Sequence, residues 1–170
     1  CHDAHAAGVG PRLLRSVSEE GNCEDCHNGN VATDDVMSVL NQPSAHRVQD
    51  TTSNHDPAES AVVNARHVEC ADCHDPHATQ AGRNPGDTPA SVRCVNLAVT
   101  EIAAATSNYQ ICLSCHGDSP SQPIARTPRQ HDLANIRLKI QPGNPSFHPI
   151  ASVGQNSNVP SLINPWTEQS

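Results

Sequence analysis

The sequence predicts a mostly irregular fold, in which short α-helices are joined by loops and there is little or no β-sheet. Fourteen prolines are spread over 170 residues, and proline interrupts both helices and central strands. Leu, Ile, Val and Phe together make up under a fifth of the chain, too little apolar surface to offset chain entropy in an ordinary core. Eight cysteines and eleven histidines argue against simple disorder. We therefore expect that something other than side chains fills the interior.

Four helices are predicted from capping residues, alanine-rich stretches and stop signals. Gly21 is expected to end the first helix. Asp56 is expected to cap the third, with Pro57 at its first position and Glu59 two residues later. The last is expected to be the longest and to deliver a cysteine motif. The predicted ranges are Arg12–Glu20, Thr33–Leu40, Asp56–Arg66 and Val99–Cys115.

Six of the eight cysteines fall into three copies of the pattern Cys-x-x-Cys-His. On a helical turn, positions i, i+3 and i+4 share one face, so two thiols can form thioethers with the vinyl groups of a porphyrin while the histidine binds its iron. This is the attachment signature of c-type haem. The three copies are Cys23, Cys26 and His27; Cys70, Cys73 and His74; and Cys112, Cys115 and His116.

Other uses of paired cysteines explain the pattern less well. A tetrahedral zinc site needs two converging pairs and leaves the histidine after each second cysteine unexplained. A thioredoxin-type pair belongs in a βαβ unit, of which the sequence shows no sign. A disulfide framework suits a smaller secreted domain. We therefore predict haem c at each motif.

The chain begins with the end of what reads as a fourth motif. Residues 1–6 match residues 73–78 at five of six positions, which predicts a fourth haem held by Cys1 and His2. Two alternatives stay open: Cys1 is a lipidated cysteine, or it forms a disulfide with Cys94. Cys94 belongs to no motif and is as well explained by a buried thiol.

The two halves of the chain also share a Pro-Ser-x-His element, which ends at His46 in the first half and at His148 in the second. We predict two paired-haem repeats, 1–69, truncated at its start, and 70–170, which carries insertions. His46 precedes Cys70 by 24 residues, and the same spacing after His148 falls just past the last residue. We expect the natural chain to continue into another haem motif as part of a longer array.

Together with His-Asp-Pro-His at 74–77 and Pro-Ser-Phe-His-Pro-Ile at 145–150, these motifs resemble those of the multihaem c-type cytochromes with paired CxxCH repeats, found in anaerobic, metal-reducing and related bacteria. The resemblance covers nearly the whole chain. It implies covalent haems stacked into a core, iron held by two histidines, and electron transfer outside the cytoplasm. The chain departs from the pattern at Arg47, where proline is usual, and at Ala4; neither change removes a ligand.

Four haems need four further ligands, one on the far side of each iron. Met37, the only methionine, lies on an apolar stripe typical of a core, so histidine is the expected ligand and low-spin iron the expected state. His5 and His77 each follow a proximal histidine by three residues, so each must serve a neighbouring haem and bring two porphyrins close together. The candidates are His5, His46, His77 and His148, with His67 left open. For His55 and His131 a solvated side chain is expected, and a surplus histidine would serve a haem beyond this segment or on another subunit.

The expected function is electron transfer along a chain of haems, without substrate chemistry. The excess of 18 Asp and Glu over 10 Lys and Arg disfavours nucleic acid and favours redox partner proteins that dock through a basic patch, or extracellular electron acceptors. A structural version is a homopolymer, a cytochrome filament whose subunits share histidines across interfaces. The alternative is an oxidoreductase of the nitrite or hydroxylamine type, which needs one open haem.

No run of apolar residues in the sequence approaches the 18 of a membrane-spanning helix. We therefore expect no transmembrane segment. Haem c attachment with this cysteine usage predicts a periplasmic or extracellular location.

Overall fold

The computed structural model describes residues 1–5, 10–50, 56, 58–63, 67–77, 93–119, 135–155 and 162–163. This part of the chain is mostly irregular, so the predicted scarcity of regular structure is confirmed. Its elements are α1 (Gly21–Glu24), α2 (Val36–Leu40), α3 (Cys70–Cys73), β1 (Cys94–Val95), β2 (Glu101–Ile102), α4 (Asn108–His116) and α5 (Arg137–Ile140), with 3₁₀ turns at Pro11–Leu13 and Val48–Asp50.

The helix predicted over 12–20 is wrong. Arg12 and Leu13 have φ of +56° and +61°, a left-handed conformation that no regular helix tolerates. This stretch instead runs antiparallel to the start of the chain, where the amide of Asp3 donates to the Leu13 carbonyl at 2.9 Å. Gly21 begins α1 rather than ending a helix.

The second predicted helix is present but shorter. It ends at Leu40, as expected, and begins at Val36 with Asp35 as its cap, the carboxylate accepting from the Ser38 amide at 3.1 Å. Asp35 therefore caps the helix in place of Thr33, the predicted cap. Met37 is half-buried, and no residue of α2 is fully buried, so the expectation that Met37 is a core residue is wrong.

The helix predicted over 56–66 is not formed at 58–63, where the structure has turns and bends. Asp56 closes a single turn, in which its carboxylate accepts from the Ala58 amide at 3.0 Å and its carbonyl from the Glu59 amide at 2.9 Å. The Ala61 amide then donates to the Glu101 carboxylate at 3.1 Å. A helix would need this amide for a hydrogen bond within the helix, so the bond to Glu101 competes with helix formation. Pro57 and 64–66 lie outside the described residues.

The prediction of a helix over 99–115 is confirmed at the third cysteine motif, which lies on α4, but the predicted start of the helix is wrong. β1 and β2 form an antiparallel hairpin, with Cys94 opposite Ile102. Val99, in the turn between them, has φ of +60°, which a β-branched residue rarely adopts. The hairpin therefore occupies the first part of that range, and α4 starts only at Asn108.

Contacts divide the described residues into two compact units. The first unit consists of the described residues of 1–59 and 67–77, and it contains the Cys1–His2 pair and the first two complete motifs. The second unit consists of 60–63 and the described residues from 93 onward, and it contains the third motif. The predicted repeats, 1–69 and 70–170, concern duplication of sequence and stay a prediction.

The second unit has an apolar core of its own. Leu113 from α4, Val95 from β1, Ile140 from α5 and Ala61 pack together, with 2–7% of each residue exposed. Partly buried side chains surround them: Val62, Leu97, Val99, Tyr109, Ile136 and Ala151.

The first unit differs sharply. Val48 is the single buried apolar side chain among its described residues, and the others that are buried are the carboxylic acids Glu20 and Glu69. Apolar side chains therefore do not build the interior of the unit that contains most of the cysteine motifs.

Candidate functional site

Each complete cysteine motif lies on a helical turn. In the first motif, the amides of Cys26 and His27 donate to the Cys23 carbonyl at 3.1 and 3.0 Å. In the second, α3 spans the two cysteines and the His74 amide donates to the Cys70 carbonyl at 2.9 Å. The third motif forms the last turn and a half of α4. The conformation that places two thiols on one helix face is therefore present in every copy.

The cysteines of the motifs form no disulfide. Cys26 and Cys112 are exposed, whereas Cys23, Cys70, Cys73 and Cys115 are half-buried. Cys1 is exposed and Cys94 is fully buried, and neither forms a disulfide, so the alternative that joins them is wrong. Burial raises the pKa of the Cys94 thiol, which makes it a poor nucleophile.

The first unit brings its two complete motifs into contact. The Cys70 thiol donates a hydrogen bond to the Cys23 sulfur, which raises the pKa of Cys70 and lowers the pKa of Cys23. Desolvation and, to a smaller extent, the nearby His27 imidazole lower the pKa of His74. The two motifs therefore contact each other at their first cysteines, and their histidines are near enough to interact electrostatically.

The Cys1–His2 pair lies in the same unit. The Arg15 amide donates to the Cys1 carbonyl at 2.9 Å, and the Cys1 thiol lies 3.9 Å from the Asn22 carbonyl, next to the first motif. The His2 ring lies 5.9 Å from the ring of His77, with 20° between their planes. The start of the chain thus contacts the segments that contain both complete motifs.

The two Asp-x-His elements have the same local structure. The His5 amide donates to the Asp3 carboxylate at 2.9 Å, and the His77 amide donates to the Asp75 carboxylate at 2.8 Å. Both imidazoles are exposed. The equivalence inferred from sequence therefore extends to the conformation of the turn.

The remaining predicted histidines lie in different surroundings. His46 and His148 are exposed, and His116 is half-buried at the end of α4. His55 and His131 lie outside the described residues.

His67 is surrounded by acids. Its Nε2 lies 3.2 Å from Glu59 Oε1 and 3.5 Å from Asp72 Oδ1, and the imidazole is 9% exposed. Sequence reasoning left His67 open and missed both carboxylates, because spacings of eight and five residues match no ligand motif.

Two further acids are buried beside this group. Glu69 is 1% exposed and Glu20 is 4% exposed. Burial, followed by repulsion from Glu19 and Asp72, raises the pKa of Glu69 to about 7, and burial likewise raises the pKa of Glu20. Within the described part of the chain, neither carboxylate oxygen of Glu69 has a hydrogen-bond partner. Oε1 of Glu20 has none either.

The motifs fit covalent haem. Paired cysteines without a disulfide, on helical turns and with a histidine after each pair, are the donor set that attachment needs. His27 and His74 are exposed, and the unit that holds them buries a single apolar side chain among its described residues.

The chain gives no significant match to protein-family models, to curated proteins or to solved structures. Over the described residues, no helix has the length and apolar character needed to cross a bilayer, as the sequence predicts.

Proposed function

We propose that this chain is an electron-transfer protein that holds c-type haems in its interior. One observation supports this most strongly: every complete Cys-x-x-Cys-His motif lies on a helical turn, and none of its cysteines forms a disulfide. Two of those motifs and the Cys1–His2 pair share a unit with almost no apolar side-chain core in its described part.

In this proposal the cysteines anchor the cofactor and the histidines bind its iron. Thioethers form at Cys23 and Cys26, Cys70 and Cys73, Cys112 and Cys115, and at Cys1. The proximal ligands are His2, His27, His74 and His116, and the far-side ligands come from His5, His46, His77 and His148. When bound, haem c supplies a one-electron iron couple.

Short distances between motifs support electron transfer within the first unit. Cys23 contacts Cys70, His27 acts on His74, and His2 lies beside His77. His77 follows His74 by three residues, yet its ring lies beside the histidine of another motif. This is the relation that the proposal requires of a histidine serving a neighbouring haem.

The charge of the chain suggests how partners dock. A formal charge of −8 favours a redox partner with a basic surface and faster association at low ionic strength. We propose a periplasmic or extracellular location, where haem c is attached and where extracellular electron acceptors or further copies of the chain are accessible.

The intact mass of the purified protein tests the proposal. We expect four covalent haems on the wild-type chain and the loss of one in the double variant Cys23→Ala/Cys26→Ala. Cys94→Ala is the control, because Cys94 is buried outside every motif and its loss leaves the haem count unchanged. A mass equal to the bare polypeptide contradicts the proposal.

Electron paramagnetic resonance of the ferric protein separates electron transfer from the enzyme alternative. Two histidine ligands on every iron give low-spin signals throughout. A spectrum dominated by high-spin iron indicates an open haem and favours a nitrite- or hydroxylamine-type oxidoreductase. Negative-stain microscopy of native material distinguishes a filament from a monomer.

A further inference from the structure

A three-residue group in the first unit has the composition and spacing of a metal site. Glu59, His67 and Asp72 each offer one ligand atom, and these atoms all lie within 4.8 Å of one another. The distances from His67 Nε2 to the two carboxylate oxygens are 3.2 and 3.5 Å. Tetrahedral zinc with bonds of about 2.0–2.2 Å separates its ligand atoms by roughly 3.3–3.6 Å, so both distances from His67 are close to those of a zinc site.

One of the carboxylates is already oriented. Asp72 Oδ2 accepts from the Glu69 amide at 2.7 Å, which leaves the other oxygen, Oδ1, facing His67. A hydrogen bond of this kind fixes a ligating carboxylate and is typical of the groups that support metal ligands.

The surroundings favour a bound cation. Glu69 is 1% exposed, and both of its carboxylate oxygens have no hydrogen-bond partner among the described residues. The charges acting on it are Glu19, Asp72 and Glu20, all negative, with His67 the opposing group. A buried carboxylate without a hydrogen-bond partner is stabilised by protonation or by a cation, and a cation held by the three neighbouring ligands would serve this second purpose.

We propose that Glu59, His67 and Asp72 bind a zinc ion, with Glu69 providing further negative charge beside it. An imidazole nitrogen with carboxylate oxygens suits zinc, whereas calcium and magnesium prefer oxygen ligands alone. Asp72 lies between the two cysteines of the second motif, but the site uses no cysteine or histidine of a haem motif. Its role is structural: it joins the turn at Glu59 to the helix of the second motif. His67 is then not a haem ligand.

Zinc content tests this directly on the haem-loaded protein. After dialysis against a chelator, the protein is incubated with Zn²⁺, freed of excess metal by gel filtration, and analysed for zinc per chain. Glu59→Gln and Asp72→Asn each remove a ligand while keeping shape, and we expect each to bind one zinc fewer than the wild type. In a chelator competition the affinity of this site falls by more than about 100-fold, beyond the roughly 10–100-fold cost of losing a supporting group.

Asp25→Asn is the matched control. Asp25 occupies the same place in the first motif as Asp72 in the second, but it is exposed and outside the three-residue group. Its variant retains the zinc count and affinity of the wild type. If Asp72→Asn and Glu59→Gln bind as much zinc as the wild type, the proposal is overturned. The three residues are then an ion-pair cluster around His67 and not a zinc site.

The spectrum of His67→Ala provides a second, independent readout. We expect loss of the zinc with every haem still low-spin. A new high-spin ferric signal in this variant assigns His67 to a haem and overturns the zinc site. Haem is counted by intact mass and zinc by metal analysis of the same sample, so failure of this inference is distinguishable from failure of the proposed function.

Discussion

Asp25 and Asp72 show how one residue type in one motif position acquires two environments. Both precede the second cysteine of a motif, yet Asp25 is exposed and Asp72 is half-buried between the Glu69 amide and His67. The backbone explains the difference. Asn22, the residue before the first motif, lies within α1, whereas Glu69, the residue before the second, is extended (φ −127°) and presents its amide to Asp72.

Asp118 and Arg137 form an ion pair with two contacts in the second unit. Arg137 donates through Nε to Oδ2 and through Nη2 to Oδ1, the latter at 2.9 Å. The Arg137 guanidinium lowers the pKa of Asp118. Side-chain exposures of 13% and 31% give partial screening. We therefore expect Asp118→Asn to lower the free energy of unfolding by about 1 kcal/mol at neutral pH, measured by denaturant titration.

The effect of Asp118→Asn depends on pH in a defined direction. A carboxyl whose pKa is depressed on folding stabilises the protein above its unfolded pKa, and this contribution is lost as the pH falls through the folded value. The difference between wild type and variant is constant near neutrality and shrinks below about pH 4. Asp34→Asn, at an exposed position, shows no such difference; a gap that persists at pH 2 contradicts the pairing.

At the scale of elements, the start of α4 is fixed by side-chain hydrogen bonds between Ser107 and Gln110. The side-chain oxygen of Gln110 accepts from the amides of Thr106 and Ser107 at 2.8 and 3.1 Å. Gln110→Ala leaves both donors without this partner, and we expect a loss of about 1–2 kcal/mol. Thermal unfolding of the haem-loaded protein measures it, with Gln42→Ala, at an exposed position, as the control.

Leu113 determines how α4 presents its cysteines. It lies between the two cysteines of the third motif and is 2% exposed in the core, whereas Cys112 beside it is exposed. Leu113→Ala leaves a cavity and is expected to cost about 2–5 kcal/mol, while Leu138→Ala, at a side chain 51% exposed, costs less than about 0.5 kcal/mol. Denaturant titration compares them; equal costs indicate that α4 does not pack as described.

At the scale of the molecule, the two units differ in what holds them together. The second has an apolar cluster, and the first buries Val48 alone among its described apolar side chains. A chain with the seven motif cysteines replaced by alanine attaches no haem. In that variant we expect first-unit amides to lose hydrogen-exchange protection, while amides around Leu113 retain most of theirs. Protection of first-unit amides equal to that of the haem-loaded protein contradicts a haem-built interior.

Local features could be predicted from sequence where local chemistry decides them. The helical turn at each motif, the end of α2 at Leu40 and the matching turns at His5 and His77 depend on residues within a few positions of each other. Helix starts were predicted poorly, because distant groups compete for the same backbone donors and acceptors. The Ala61 amide, taken by Glu101, is one example.

The sequence alone determined the chemistry that is available: paired thiols, each with a histidine, in a chain too poor in apolar residues to build a large core. Only the tertiary structure decided which of these groups meet. It placed Cys23 against Cys70 and His2 beside His77, and it surrounded His67 with carboxylates from Glu59 and Asp72. Spacing along the chain specifies what lies within a helical turn, whereas contacts between segments depend on how the whole backbone folds.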